Sequence, residues 1–387
     1  MKKNTPNNAL VVLYHHPERF PPTLNAIHEL SKIYTLVTLV FRCTNQSEWP
    51  YPTNVKLAGD NQWLDSAEQE QLSIGEKLWL FAKFTLHLRH SLIQTKPKLL
   101  LIYDSMAFLA FYLIRWSIKT PQLVWYHSHD IPSFAALRKY SISWWAAIVE
   151  RKKAQQVDLF SLPSLERKAF FELDHFRGDF YYLPNLPSVR FYQPFYTKKF
   201  TLTGEVNLLY QGAVNADHGL EATIQALPFL NARLSIIGPA SAAYQESLLA
   251  LSKTHGVENR VFFFGRISYQ QLPDLTKIGH IGLALLTNTQ NFNHTTAATA
   301  SNKIYEYAAL GLPVLYFQDD SFKAALAHYA WAKGTDLSLL SIKTGIAEII
   351  SSYEELSTLA HQDFLGTLNY ELVFKPIKAR LLSKTNS

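Results

Sequence analysis

From residue 207 to residue 317 the chain alternates short apolar runs with longer segments whose apolar residues fall three or four apart. The runs are 207–210, 233–237, 261–264, 281–286 and 313–317, and helix-like segments occupy 219–227, 244–255, 269–277 and 302–310. Few folds satisfy this pattern. A short apolar run without polar alternation is a strand covered on both faces. A helix after each strand supplies the cover and brings the chain back in the same direction. The outcome is a parallel sheet wound with helices on both faces, and its ligands sit outside the carboxyl ends of the strands.

The first half follows the same scheme less regularly. Strands are expected at 11–14, 36–42, 99–103, 123–127, 159–161 and 180–183, with helices at 24–31, 69–92, 106–117 and 144–156. Pro184, Asn185, Leu186 and Pro187 then stop regular structure. The segment 189–203 mixes aromatic, proline and lysine residues without a period, and a linker belongs there. The expected organisation is a first Rossmann-like domain at 1–190, a linker at 191–204 and a second domain at 205–365. A C-terminal helix at 366–387 crosses back to the first domain, after an interruption at Phe364, Leu365 and Gly366.

A chain of 387 residues suits two domains, and 48% apolar residues support a core in each. The formal charge of +6 favours anionic partners. Only 18% of residues are charged, and no Lys/Arg block resembles a nucleic-acid arm, so no nucleic acid is expected as partner. The single cysteine, Cys43, forms no internal disulfide and no thiolate metal site, and its apolar neighbours suggest a buried thiol. The apolar stretch 9–14 is too short for a signal peptide. The longest apolar region, 99–116, is broken by Asp104 and Arg115 and does not read as a membrane span.

Two segments of the second half carry chemistry. In 211–220, Gly212 follows a strand, where glycine permits a tight turn and close approach of a ligand to the backbone. The next helix starts near Gly219, where free N–H groups favour a phosphate. The same segment also reads as an ordinary strand–turn–helix joint. In 301–314, Ser301 caps a helix, and Asn302 and Lys303 stand at its start, a bed for a diphosphate. Glu306 lies one turn deeper, on the face of Asn302, where a carboxylate accepts bonds from both hydroxyls of a ribose. Gly311 ends the helix and Pro313 starts the next strand. The bland alternative is a capped surface helix with Glu306 facing water.

With these residues in place, the second half resembles the retaining glycosyltransferases of the GT-B fold, glycosyltransferase family 4 (glycosyl transferases group 1). The resemblance covers about 205–320. It implies two Rossmann-like domains facing a central cleft and a nucleotide-sugar co-substrate, a UDP- or GDP-sugar, with no permanently bound cofactor. Gly212 with His218, Gly219 and Leu220 matches the family's opening turn, where a basic residue contacts donor phosphates. Here that residue is His218. Gly265 followed by Arg266 matches a strand ending that faces the donor. Ser301 to Val314 is the strongest match. Glu306 corresponds to the second of two family glutamates, and Ala298 stands where the first would be. Thr295, Thr296 and Thr299 are the nearby polar side chains for reading the sugar.

In the first half, His15, His16, Pro17, Glu18, Arg19 and Phe20 follow the first strand, where the family often has a glycine pair near the diphosphate. Arg19 is the phosphate or acceptor contact, or the loop is an ordinary surface turn. The second cluster is Trp125, Tyr126, His127, Ser128, His129 and Asp130. The resemblance assigns His127 or His129 to the transferred sugar. Asp130 orients one of them or serves as a base towards the acceptor hydroxyl. No Glu or His recurs at metal spacing, and no metal is expected. Asn185 matches a family Pro-Asn and reads as structural.

The function that follows is transfer of a sugar, with retention, to a hydroxyl of a glycan or lipid-linked acceptor in the cytoplasm. No glycosidase-like carboxylate pair is assignable, so same-face attack is expected, with a diphosphate oxygen helping to take the acceptor proton. A nucleotide-sugar 2-epimerase of similar two-domain fold and a non-catalytic nucleotide- or glycan-binding protein are the rival readings. Oligomeric state is not legible. Helix 77–90, with Trp79, Phe81, Phe84 and Leu88 on one apolar stripe beside Lys83, Arg89 and His90, suggests peripheral contact with an anionic membrane at the inner face. A second such segment is 139–145. Any helix packed on a sheet has the same pattern.

Overall fold

The computed structural model describes residues 7–42, 49–59, 72–200, 202–287 and 300–385. Cys43, Thr295, Thr296, Ala298 and Thr299 lie outside the described residues. The chain forms two compact units, Met1–Pro184 with Val373–Ser387, and Asn185–Leu372.

The first unit is built on a seven-stranded sheet. Its strands are β1 (Asn8–Val12), β2 (Leu36–Phe41), β3 (Val55–Gly59), β4 (Leu99–Tyr103), β5 (Leu123–His127), β6 (Leu159–Leu162) and β7 (Asp179–Tyr182). They pair in parallel in the order β3-β2-β1-β4-β5-β6-β7. β1, β4, β5 and β6 are buried along their whole length, as their mostly apolar sequence requires. The helices are Pro21–Ser31, Ile74–Thr95, Asp104–Ile114 and Ile142–Lys153. β3 has no counterpart in the sequence expectation. It is a half-exposed edge strand containing Lys56, and its sequence, VKLAG, is not apolar enough to stand out. From Val373 on, the helix Tyr370–Thr385 counts with this unit. Its Phe374 lies 6.0 Å from the Trp125 ring, and Arg380 Nε donates to Asp179 Oδ2 at 2.5 Å.

The second unit holds six parallel strands in the order β10-β9-β8-β11-β12-β13. They are β8 (Val206–Gln211), β9 (Ala232–Ile237), β10 (Val261–Gly265), β11 (Ile281–Ala284), β12 (Val314–Phe317) and β13 (Ala332–Thr335). β13 extends the sheet beyond the expected repeats, with helices Asp320–Leu326 and Leu339–Ser351 on either side of it in sequence. Segment 191–204 begins inside the short helix Val189–Tyr192 and within the second unit, and Tyr192 is fully buried. In both sheets the strand order reverses beside the first strand, between β1 and β4 and between β8 and β11. These are the topological switch points, where doubly wound sheets bind ligands at their carboxyl ends.

Three adjacent strands of the second unit close on glycine. Gly212, Gly238 and Gly265 have φ of 128°, 141° and 67°, a region that penalises side chains. The Gly212 N–H donates to Ile237 O at 2.9 Å and the Gly238 N–H to Gly265 O at 2.8 Å. A Cβ on Gly238 would lie 1.8 Å from the Gly212 carbonyl oxygen. Gly256, at φ 63°, has open space around its would-be Cβ. Gly256→Ala is therefore expected to cost only the left-handed penalty, about 1–2 kcal/mol. Gly238→Ala must displace the Gly212 turn and lowers the melting temperature much further. Equal shifts in thermal melts would show that these strand ends are not locked together.

Candidate functional site

In the second unit, the end of β8 meets the helix Asn302–Ala309. A buried, mostly apolar strand ends here on a polar residue, Gln211. Its Nε2 donates to Glu306 Oε2 at 2.5 Å, and its Oε1 accepts from Thr276 Oγ1 at 2.7 Å. Its backbone N–H donates to Tyr307 Oη at 2.9 Å. Glu306 is 4% exposed, so the surface-helix reading fails. Burial pushes its carboxyl up to about 7, against the pull of Tyr192, Tyr269, Gln211 and Lys303 towards the charged form. Lys303 Nζ sits 4.3 Å from the Tyr210 ring centre and 3.3 Å from Tyr210 Oη. Burial pulls its ammonium down to about 8, while Glu306 and Asp217 oppose the shift.

The two expected donor segments thus come together. A Cβ on Gly212 would lie 3.3 Å from Lys303 Nζ, so the glycine keeps the strand turn open beside the ammonium. Ser301 stands at the helix N-cap but makes no side-chain cap bond, contrary to expectation. The turn is instead held by Asn185, whose Nδ2 donates to Ala300 O at 2.7 Å. Asn302 Oδ1 is buried with no hydrogen-bond partner among the described residues. His218 is buried, with Nδ1 2.7 Å from Tyr210 Oη, and lies next to the cluster through that tyrosine. Gly219, at φ 63°, is required by packing, since its Cβ would lie 2.7 Å from Leu285 Cβ. Arg266 is exposed and directly follows the edge strand β10.

The first unit gathers its polar groups at the ends of β4 and β5. His129 Nδ1 is 2.9 Å from Asp104 Oδ2, and its backbone N–H donates to Asp104 Oδ1 at 2.7 Å. A carboxylate partner fixes the proton on Nδ1, leaving Nε2 to accept from Thr23 Oγ1 at 2.9 Å. The ring is stacked between Phe20 and Tyr103, each 4.6 Å away. The loop after β1 and the loop after β5 therefore share one cluster. Burial works to raise the Asp104 carboxyl, but its bonds to His129 prevail and hold it below the ordinary range. Asp104 reaches this position at φ 62°, a conformation aspartate tolerates better than most residues.

His127 is 1% exposed. Burial, then the neighbouring His129, drives its pKa well down, so it is neutral. Its Nδ1 lies 2.8 Å from Ser161 Oγ, which also accepts from Trp125 Nε1 at 2.7 Å. The serine proton then goes to Nδ1, and Nε2 carries an N–H with no hydrogen-bond partner among the described residues. Asp130 follows His129 and faces the Arg167 guanidinium at 3.7 Å, and Arg167 also donates to the His129 carbonyl. Asp104 holds the His129 ring through Nδ1. Behind this loop, Glu150 accepts from Tyr126 Oη and from Ser128 Oγ (2.9 Å), and burial raises its carboxyl to about 7.

Sequence reasoning missed Gln211, Tyr192, Tyr269, Asp104, Glu150 and Arg167. Gln211 and Asp104 had a signal, each being the polar residue at the end of an apolar central strand. The others acquire their place only through tertiary packing.

Residues 194–371 match the family described as Glycosyl transferases group 1. No curated protein matches the chain in sequence. Among solved structures, sucrose-phosphate synthase from Thermosynechococcus elongatus superposes with a TM-score of 0.69 at 13% identity, over 98% of this chain and 99% of that one. Anabaena HepE in complex with UDP and glucose gives 0.65 at 16% identity, over 97% and 99%. UDP-GlcNAc 2-epimerase from Neisseria meningitidis, bound to UDP-GlcNAc, gives 0.57 at 14%, over 97% and 100%. These likenesses establish the fold: two Rossmann-like α/β domains of the GT-B type.

Glu150 and Glu306 each hold a proton in the folded state, up to about 7, that the unfolded chain releases near 4.5. Each therefore removes stability as pH rises through that window, by about 1.4 kcal/mol per pH unit. Glu150→Gln abolishes the first of these terms. Its stability relative to the unsubstituted protein should rise by about 3 kcal/mol between pH 5 and pH 8 in chemical denaturation, on the scale of 1.36 kcal/mol per unit shift. A difference independent of pH would mean that Glu150 is ionised throughout.

Proposed function

We propose that the protein is a glycosyltransferase that takes a sugar from a nucleotide-sugar donor, with the nucleotide held by the second unit. The observation that carries this is the convergence of Gly212, Lys303 and Glu306 at the switch point of β8 and β11. The match to a glycosyltransferase family over the same unit supports it. Glu306 accepts the ribose hydroxyls. Lys303 and the start of helix Asn302–Ala309 face the diphosphate, with the Asn302 amide beside them. A nucleoside diphosphate gathers charge as it leaves, and a preformed ammonium with helix N–H groups stabilises that charge without rearranging. His218 and Arg266 are secondary phosphate contacts in this reading.

The finer assignments belong to the same proposal: a UDP- or GDP-sugar, family 4 chemistry with retention, hexosyl transfer, and a hydroxyl of a glycan or lipid-linked acceptor. The complexes of HepE with UDP and glucose support a uridine donor by analogy of fold. In the first unit, His127 presents its Nε2–H to a sugar oxygen. His129 is positioned by Asp104, and Asp130, the most exposed of the three candidates, serves as the base towards the acceptor. An epimerase has the same fold, so one assay separates the readings: an epimerase converts a nucleotide-sugar with no acceptor present, a transferase requires one.

Three outcomes are expected. Glu306→Gln weakens UDP binding by about 1.5–3 kcal/mol, roughly ten- to hundredfold, with the fold retained; unchanged calorimetric affinity would remove the ribose assignment. UDP affinity is greatest between pH 7 and 8, because the carboxylate must be ionised and the ammonium kept, and their pKa values are about 7 and about 8. A flat profile from pH 6 to 9 would contradict that pairing. Asp104→Asn places an amide against His129 Nδ1 and upsets its tautomer. It should lower kcat about tenfold or more, the scale of a lost charged bond, while UDP affinity stays near normal. An unchanged kcat would put the reacting centre away from the histidines.

A further inference from the structure

The outer face of helix Ile74–Thr95 has an unusual composition for a surface that meets only water. The sequence expectation put Trp79, Phe81, Phe84 and Leu88 on one stripe. The structure separates them. Phe81, Phe84 and Leu88 are buried in the core of the first unit, whereas Trp79 is 57% exposed. On the same outer face as Trp79, Leu86 is 65% exposed and Ile93 is exposed as well, with exposed Leu78 on its flank. A helix packed on a sheet needs one apolar stripe and is polar on the opposite side. This helix has two apolar faces.

The second face continues onto the neighbouring element. Arg89 Nε donates to Ser117 Oγ at 2.9 Å, tying the turn Arg115–Ser117 to the helix. On that turn Trp116 is 84% exposed, and Leu113 before it is exposed as well. Each tryptophan has a cation over it: Lys83 Nζ 5.3 Å from the Trp79 ring and Arg115 Cζ 4.6 Å from the Trp116 ring. Lys77 and Lys119 are exposed nearby in sequence. Glu76 is the one acidic residue of the helix, and its carboxylate is engaged in the capping box with Ser73.

We propose that this face docks on an anionic lipid membrane, with Trp79 and Trp116 at headgroup depth and Lys83, Arg89 and Arg115 against lipid phosphates. Tryptophan beside lysine or arginine is suited to an interface that is apolar on one side and anionic on the other. A second copy of the chain is disfavoured as occupant, since it would bring one set of cations onto another. No described helix is long and apolar enough to cross a membrane, so the contact is peripheral. Segment 139–145 also exposes Tyr140 and Trp145, but the proposed surface is confined to the helix Ile74–Thr95 and the turn Arg115–Ser117. The inference stands apart from the donor site and goes beyond the transferase reading.

The test is co-sedimentation of the full chain with vesicles of equal parts phosphatidylglycerol and phosphatidylcholine, against phosphatidylcholine alone, at about 0.15 M salt. Binding is expected to the anionic vesicles only. Trp79→Ser with Trp116→Ser should reduce it at least tenfold. Lys83→Ser and Arg115→Ser should each reduce it roughly fivefold, as expected for about 1 kcal/mol per basic residue. Trp79 and Trp116 are exposed and Lys83 and Arg115 are half-buried outside the core, so thermal melts should shift little and UDP affinity should stay as in the unsubstituted chain. Failure of UDP to bind would count against the donor site and leave the vesicle result standing. The membrane proposal is overturned by full recovery in the supernatant with anionic vesicles or by variants that bind as well as the parent. A dimer that the tryptophan variants dissociate in sedimentation velocity would equally overturn it.

Discussion

A buried carboxylate and a half-buried ammonium lie one turn apart at the end of the central strand, and the second unit is organised around that fact. Glu306 and Lys303 lie one turn apart on a short helix whose inner face is otherwise apolar. Each is costly to bury as an ion. Gln211 at the end of β8, itself held by Thr276, supplies the carboxylate with a donor. The Tyr210 ring and hydroxyl receive the ammonium. Gly212 leaves the space into which Lys303 extends, and Gly238 has its place because the Gly212 carbonyl occupies the position of its Cβ.

The first unit meets the same problem with other residues. A central strand again ends on a polar group, Asp104 after β4, and again that group captures a side chain from another loop. Here the pair is a carboxylate and an imidazole, and a backbone N–H completes it. The loop His127–Ser128–His129 is fixed on every side: Ser161 holds His127, Glu150 holds Ser128, and Asp104, Thr23 and Arg167 hold His129. So many partners on three consecutive residues leave little freedom to rearrange. A group left without a partner inside such a loop, the His127 Nε2–H, is therefore informative, because a buried donor costs about 1–3 kcal/mol when unmet.

Much of this was legible in the sequence wherever a local signal existed. The strands 99–103 and 123–127 are identical in the structure, because an unbroken apolar run between turn residues has few other solutions. The helix Asn302–Ala309 is legible from a motif whose residue types have local reasons: glycine after it, asparagine and lysine at its start. Asp104 illustrates the opposite case. In sequence it is only an interruption of an apolar stretch, and its position after a central strand is the one local sign that sets it apart. Asp130 is nearer the histidines in sequence, yet a partner of His129 comes from 25 residues earlier. Tyr192 was hidden in an aperiodic aromatic stretch, and no pattern announces a side chain buried wholly by distant parts of the chain.

The same distinction explains why a stripe read on a helical wheel divided in two. Periodicity identifies that a helix has an apolar side, but not which of two apolar sides meets the sheet. On Ile74–Thr95 the residues that pack, Leu80, Phe81, Phe84, Leu88 and Leu92, keep a spacing of one, three or four residues. Leu78, Trp79, Leu86 and Ile93 fall outside that arc, and the sequence offers no reason for their being apolar that the core supplies. Single exposed apolar side chains are ordinary, and it is their grouping beside basic residues that motivates the proposed lipid contact. The cations over the two tryptophans fit that contact, since a cation–π pair at an exposed site is worth only about 0.5–1 kcal/mol and is easily given up to a stronger anionic partner.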